Sequence, residues 1–413
     1  MPQRSILLYM AAVGMVGFTI DGGIYAVVYN LFVLRLGYGA DFIGLLASVS
    51  LVGFTLAGAV AGPLGDRVGS RRMLLLGLGA MVVALAAMPL TALLPPDNQS
   101  AGLIALFSVA NMGLAAFFVN APPYISAIAA PSILERVFAY QTALWAFCAF
   151  LGGLIGGFLP ASLAAALGWS LDNPAPYAVP LIVAALGMAA AFTAIVFTEN
   201  ATPHAAHGKA AGAIAFPLGI VVVLGLVRFF HAGTMGAVLP FFNVYMDSAL
   251  QAPTAQIGIV TACGRLLAAF LALLTPIVAR RWGNRNIVTW GSAMMSLAVV
   301  PMILIPDAVA ASFGFISVAS LSSMRYAAFI AFAMKIVPPQ RRGLLAGVSE
   351  TSAGVSFALT AFLGGQIITR LGYPPLFTIG CIMGLIGSAI FWVYFQSRRG
   401  VAVGAEAGLP GDV

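Results

Sequence analysis

The chain has 413 residues, of which 61% are apolar and 8% charged, with a formal net charge of +7. Soluble domains carry about 25% charged residues, so a water-soluble fold is excluded: no fold of this length could hide so much apolar surface from water. The positive balance is read as membrane-orienting charge rather than as a nucleic-acid footprint, and no nucleic-acid partner is expected.

A spanning helix needs about 20 apolar residues. Twelve such runs follow in chain order, at 6–34, 43–64, 73–94, 101–129, 137–160, 176–198, 216–246, 255–279, 286–305, 309–336, 343–369 and 375–395. Backbone groups in lipid must bond internally, and runs this long satisfy that only as helices. The fold class is therefore an all-α membrane protein with 12 transmembrane helices. The first run is too long for a cleaved signal peptide and lacks a small-residue cleavage site. Cys148, Cys263 and Cys381 fall inside apolar runs and read as packing residues.

The first six runs share a pattern with the last six. Gly62-Pro-Leu-Gly-Asp66-Arg67-Val-Gly69-Ser-Arg71-Arg72 joins the second run to the third, and Pro276-Ile-Val-Ala-Arg280-Arg281-Trp-Gly283-Asn-Arg285-Asn286 joins the eighth to the ninth. Gly69 and Gly283 lie 214 positions apart, Ile43-Gly44 recurs as Ile257-Gly258 at that offset, and Asn30 recurs as Asn243 at 213. A duplicated six-helix unit is the architecture of a transporter that rocks two halves around a central site. The expected organisation is a first bundle over 1–198, a cytoplasmic linker over 199–215, a second bundle over 216–398 and a disordered cytoplasmic tail over 399–413. His204 and His207 in the linker are exposed-loop histidines, and no metal site is expected.

With both termini inside, the inner side receives 14 of the 19 basic residues, whereas the outer side receives Arg35 and Arg370 beside Asp41, Asp97, Asp172, Asp247 and Asp307. That asymmetry sets the orientation by the positive-inside rule and predicts a multi-pass protein of the inner (plasma) membrane with both termini cytoplasmic. Arg228, Arg265 and Arg325 remain, all within the apolar runs.

The basic turn resembles the signature loop of the major facilitator superfamily (MFS), Gly-x-Leu-x-Asp-Arg-x-Gly-x-Arg-Arg, and Gly62, Leu64, Asp66, Arg67, Gly69, Arg71 and Arg72 all match it. The resemblance covers essentially the whole chain and implies an MFS fold of two pseudo-symmetric six-helix bundles. In that family the motif's acid engages the start of the eleventh helix, here Arg341-Arg342-Gly343. The second half departs from the pattern, because Arg280 stands where the acid belongs, while the facing helix start Leu134-Glu135-Arg136 offers a carboxylate. A swapped latch is expected: Asp66 with Arg341 or Arg342, and Glu135 with Arg280 or Arg281. The alternative is that Glu135 caps its own helix. Gly152-Gly-Leu-Ile-Gly156-Gly157 resembles the Gly-Pro-x-x-Gly-Gly motif of antiporters, with Gly153 in place of proline, and equally permits close helix contact. The antiporters' fourth-helix arginine, which would fall near Val109, is missing, so proton-driven drug efflux loses support.

Ionisable residues inside a membrane are costly and functional by default. They are Asp21 on helix 1, Arg228 and His231 on helix 7, Arg265 on helix 8, Arg325 on helix 10 and Glu350 on helix 11. Helices 3, 6, 9 and 12, which the resemblance makes peripheral, carry none. Counting about 1.5 Å per residue puts Asp21 and His231 at a common depth, roughly 22 Å from the inner helix ends. Tyr25 and Tyr29 share the face of Asp21, and Asn120 and Tyr124 share a face of helix 4 beside Pro122-Pro123. One reading pairs Arg325 with Glu350 and leaves Arg228 and Arg265 for an anionic substrate. A second ties all of them into a structural network, and a third gives Asp21 a cationic or neutral substrate. Arg228, Arg265, Arg325, Tyr25, Tyr29 and Asn120 are the candidate substrate contacts, with Asp21, His231 and Glu350 the candidate proton carriers.

The expected function is secondary active transport of a small organic solute, anionic or amphipathic, by alternating access with proton coupling. Proton-coupled multidrug or cation efflux, or lipid flipping on the same fold, are the alternatives. The chain contains no Gly-x-x-x-x-Gly-Lys-Ser/Thr, so ATP is not its direct energy source. Three histidines, two of them in the linker, argue against an enzyme. No cofactor is expected, the partners are the solute, protons and the lipid bilayer, and the expected state is a monomer.

Overall fold

The structure is a computed structural model that describes residues 2–20, 22–200, 218–337 and 342–395. Among these residues it is helical, without strands. The helices are α1 (Pro2–Thr19), α2 (Ile24–Arg35), α3 (Ala40–Val68), α4 (Ser70–Ala87), α5 (Pro96–Ile128), α6 (Pro131–Leu167), α7 (Ala175–Val196), α8 (Leu218–Val238), α9 (Phe242–Val244), α10 (Thr254–Trp282), α11 (Asn284–Leu297), α12 (Val300–Leu304), α13 (Ala308–Ile336), α14 (Arg342–Leu371) and α15 (Tyr373–Phe395). They supply 12 spans long and apolar enough to cross a membrane. Large apolar side chains point outward along them: Leu56, Val60, Leu76, Val83, Phe270 and Ile277 are all more than half exposed. Water would penalise such a surface and lipid does not.

Four of the runs are interrupted, the third where α4 gives way to a 3-10 turn at Met88–Leu93. The first breaks between α1 and α2, where Gly22 takes φ +85°, a backbone region open mainly to glycine. The seventh continues past α8 through α9 into a π-helical turn at Tyr245–Ala249, a rare form. The ninth consists of α11 and α12. The Asp21-Gly22-Gly23 string was the legible signal for the first break.

The duplicated turn appears in both halves of the sequence. Gly69 ends α3 and opens α4 at φ 99°, ψ 133°. Gly283 joins α10 to α11 at φ 76°, ψ 144°. One backbone solution thus serves both copies. Residues 62–68 are helical, so the turn is tighter than the signature loop suggests.

The contacts divide the chain into two compact units, Met1–Ala206 with Met246–Leu266, and His207–Tyr245 with Leu267–Val413. The linker and tail segments 201–217 and 396–413, with His204 and His207, lie outside the described residues.

In the first unit, glycines bring helices together on two faces of α6. A methyl group at Gly152 would collide with the Phe18 carbonyl, and one at Gly156 would sit 3.0 Å from the Ile24 carbonyl oxygen. One at Gly157 would reach the Gly258 Cα at 2.6 Å, and one at Gly153 the Ala262 Cβ at 3.2 Å. The glycine string of α6 therefore packs against the α1–α2 break and against the first half of α10. In the second unit a continuous apolar core joins α8, α11, α13, α14 and α15 through Leu224, Val227, Val288, Phe329, Phe332 and Phe391.

A buried basic cluster as the candidate functional site

The second unit holds the densest charged constellation. Arg228 and His231, one helical turn apart on α8, diverge to different partners. The Arg228 guanidinium donates from Nη2 to both carboxylate oxygens of Glu350 on α14, at 3.1 and 3.3 Å. The Tyr326 hydroxyl of α13 donates to Glu350 Oε1 at 3.2 Å. Arg228 also lies over the Tyr326 ring, 4.7 Å from its centroid, and 5.8 Å from that of Phe329. Cation–π contact of this kind fixes the guanidinium plane. The exposures are asymmetric: the Arg228 side chain is 8% exposed and that of Glu350 56%. The carboxylate is the open member of the pair.

His231 turns toward α13 instead, with its Nδ1 3.0 Å from Arg325 Nη1. A guanidinium only donates, so Nδ1 accepts and the ring proton sits on Nε2. Both residues are 0% exposed. Glycines make room for them: Gly291 of α11 faces the Arg325 Cβ, and Gly387 of α15 faces the His231 ring. The pairing of Arg325 with Glu350 expected from sequence is corrected here. Consecutive helical residues point about 100° apart, so Tyr326, not Arg325, meets Glu350, while Arg325 is turned inward onto His231.

The other candidates sit in the first unit. Tyr25 and Tyr29 stack on each other at 4.8 Å, and Tyr29 stacks on Phe107 of α5 at 4.5 Å. Both hydroxyls are buried without a protein partner among the described residues. The Asn120 amide donates to the carbonyls of Ala61, 3.2 Å, and Ala116, 2.9 Å; it clamps α5 onto α3, and its donors are spent there. Arg265 is half-buried with its side chain over Gly22 at the α1–α2 break. Asp21 lies outside the described residues.

Around the basic turn, Asp66 and Arg67 are exposed at the end of α3, Gly62 is partly buried, and Arg280 and Arg281 are exposed at the end of α10. Arg71 is committed: it donates to the Val196 carbonyl at 2.5 Å, to Asn200 Oδ1 at 2.9 Å and to Thr198 Oγ1 at 3.3 Å. A cation on the last carbonyls of a helix is favourable, so the motif arginine caps α7. Arg341 and the side chains of Glu135 and Arg342 lie outside the described residues, and the swapped latch remains an expectation.

Sequence reasoning missed one pair. Arg35 at the end of α2 grips Asp247 of the π-turn at both carboxylate oxygens, at 2.7 and 2.6 Å. It also donates to the Leu171 carbonyl at 2.8 Å and the Tyr177 hydroxyl at 3.3 Å. These residues line a polar pocket of about 480 Å³ in the first unit. The opposite charges on the outer side were legible, but their partnership was not. The first unit also carries an apolar crevice of about 450 Å³ between α3, α4 and α5, lined by Leu56, Val60, Met73, Leu76, Met112 and Ala116.

Comparison with known proteins shows the family. The family model described as Major Facilitator Superfamily matches residues 10–319 and 224–408. The chain belongs to that superfamily: it is a multi-pass membrane protein with a transport role. It is 24% identical over 373 residues to an uncharacterized MFS-type transporter of Burkholderia pseudomallei (strain 1106a), covering 88% of this chain and 86% of that one. Among solved structures it resembles a D-xylose-proton symporter, with TM-score 0.75 and 13% identity over 94% of this chain and 97% of that one. It also resembles a variant of the nucleoside transporter NupG, with TM-score 0.75 and 11% identity over 95% and 99% of the chains. A bacterial homolog of the human lysosomal transporter Spinster, inward-facing and occupied, matches with TM-score 0.68 and 15% identity over 96% of each chain.

Proposed function

We propose that this protein is a secondary active transporter that moves a small organic anion by alternating access, coupled to protons. The observation that carries the reading is the Arg228–Glu350–Tyr326 set. A largely buried guanidinium is held by one carboxylate, and that carboxylate is the exposed partner. Protonating Glu350 removes its charge and releases the guanidinium, which then takes the anionic group of the solute. Proton and solute thus bind together rather than in competition. His231 serves this cycle less directly, because a second proton on its ring would place a cation against Arg325. Asp21 keeps its assignment as a further proton carrier and Arg265 as a further basic contact. Tyr25 and Tyr29 keep their assignment as candidate substrate contacts of the first unit. The small organic solutes named for the xylose and nucleoside neighbours are compatible in size. The charge asymmetry of the loops supports cytoplasmic termini.

The test is transport in proteoliposomes, with panels of organic anions, cations and neutral solutes under an imposed pH gradient. Glu350→Gln mimics the protonated acid. It is expected to retain solute exchange at equilibrium and to lose accumulation driven by the gradient, while Arg228→Ala loses both. Gradient-driven accumulation that survives in Glu350→Gln would remove this carboxylate from coupling. Uptake confined to cations would remove the anion assignment. An amphipathic solute is the second reading, favoured by the apolar crevice of the first unit; lipid scrambling by the same vesicles would support it.

A further inference from the structure

The apolar crevice of the first unit encloses about 450 Å³ and is open along one side. Its floor is low because α4 and α5 cross backbone to backbone. A methyl group at Gly77 would lie 2.5 Å from the Gly113 carbonyl oxygen. Ala57, Ala61 and Ala80 keep the rest of the floor small. The rim is built of large side chains, and Leu56, Val60 and Leu76 are each more than 60% exposed. Every lining residue is apolar or glycine, so the crevice offers a polar solute no hydrogen bond. An empty crevice would forfeit dispersion contacts along its walls, and in a bilayer hydrocarbon is the filling at hand. The α3 wall runs from Leu56 to Leu64, roughly 12 Å at about 1.5 Å per residue. The hydrocarbon of one leaflet is about 15 Å deep.

One end of the crevice is charged. Leu64 and Met73 line it where α3 and α4 approach the basic turn. Val60, Leu64 and Arg67 follow at i, i+4 and i+7 on α3, and Arg72, Leu76 and Ala80 at i, i+4 and i+8 on α4. Residues so spaced share a helix face. Each of these two walls therefore carries an arginine about one turn beyond the crevice. Arg67 and Arg72 are exposed and have no acceptor among the described residues, whereas Arg71 is spent on the end of α7. Asp66 is the one acid of residues 62–72, so the turn stays net positive.

We propose that the crevice holds one anionic phospholipid, its acyl chain lying against α3, α4 and α5 and its phosphate gripped by Arg67 and Arg72. The arginines select the occupant. A second copy of the chain or an apolar partner helix would fill the crevice and leave the charges at its end unanswered. A phospholipid answers both, because basic residues at a membrane surface attract anionic headgroups and guanidinium pairs with phosphate at two points. This lipid is held rather than carried, which separates it from the amphipathic solute that the same crevice favours. The inference does not rest on the Arg228–Glu350–Tyr326 set.

Native mass spectrometry of the full-length protein in detergent tests the proposal, with phosphatidylglycerol titrated against phosphatidylcholine of the same acyl chains. One retained phosphatidylglycerol is expected, preferred on the order of tenfold. Arg67→Gln with Arg72→Gln should abolish the preference. Ala57→Leu with Ala80→Leu, which fills the crevice from two partly exposed positions, should abolish retention of either lipid. Phosphatidylglycerol with a diazirine on its acyl chain provides the measurement that needs no variant, adducts on residues 56–64 and 73–80. Equal retention of the two lipids, a preference that survives the arginine substitutions, retention that survives the filled crevice, or adducts elsewhere only would each overturn the proposal. So would displacement of the lipid by free glycerol phosphate, a dimer that the filled crevice abolishes, or movement of phosphatidylglycerol between leaflets that it abolishes. Anion transport with no retained lipid would sink this inference and leave the transport reading standing; a retained lipid with no anion transport would do the opposite.

Discussion

Arg325 and Tyr326 are sequence neighbours with opposite environments, one sealed against α11 and α8, the other open beside Glu350. A rotation of about 100° per residue separates an internal charge from a switchable one. The same scale governs the two turn glycines. Gly69 and Gly283 have nothing within 4 Å of a would-be methyl group, yet both sit at positive φ. Alanine there meets no neighbour and suffers only backbone strain, about 1–3 kcal/mol. Gly347 has equally open surroundings within α14 and no positive φ, so alanine there is neutral or stabilising. Melting curves of Gly69→Ala, Gly283→Ala and Gly347→Ala should show two falls and no fall. Equal behaviour of the three would mean that the turn geometry does not constrain the fold.

At the scale of elements, packing is decided by what glycine omits and by where helices break. The α6 glycines read in sequence as an antiporter-like string. In the structure they are approach points for α1, α2 and α10, which is the plainer of the two readings offered for them. The π-turn at 245–249 places Asp247 on Arg35, joining α2, α7 and the turn that follows α9. A bidentate, partly buried pair exceeds the roughly 0–1 kcal/mol of an exposed salt bridge and falls short of the 3–5 kcal/mol of breaking a fully buried one. A double-mutant cycle of Arg35→Ala and Asp247→Ala is expected to give a coupling of about 1–2 kcal/mol in thermal unfolding. Arg35→Lys should recover only part of it, because the ammonium lacks the fork. Additive single effects would show that the contact contributes nothing to stability.

For the whole molecule, the distribution of arginine gives a topological prediction. If residues 62–72 lie on the cytoplasmic side, cysteine at the partly exposed Ser70 of the motif reacts with a membrane-impermeant maleimide only in permeabilised cells. Ser70→Cys, in a background with Cys148, Cys263 and Cys381 replaced by alanine, is the variant to label. Reaction in intact cells would invert the orientation. The swapped latch belongs to the same scale. Its test is cross-linking between cysteines at Glu135 and Arg280, with a bond forming in one transport state and not the other; no bond in either would discard it.

Span number, the duplicated turn, family membership and the identity of the intramembrane charges were all determined by the sequence itself, because lipid imposes run length and hydrophobicity residue by residue. Pairing was decided only by tertiary structure. Arg228 rather than Arg325 meets Glu350, Asn120 is consumed by α3, and Arg35 finds Asp247 more than 200 residues away. Hydropathy records how deep a side chain lies along its helix. Which neighbour it faces depends on the rotation of that helix about its axis and on the glycines that let another helix approach. Those are properties of the packed helices together, and a run of apolar residues carries no record of them.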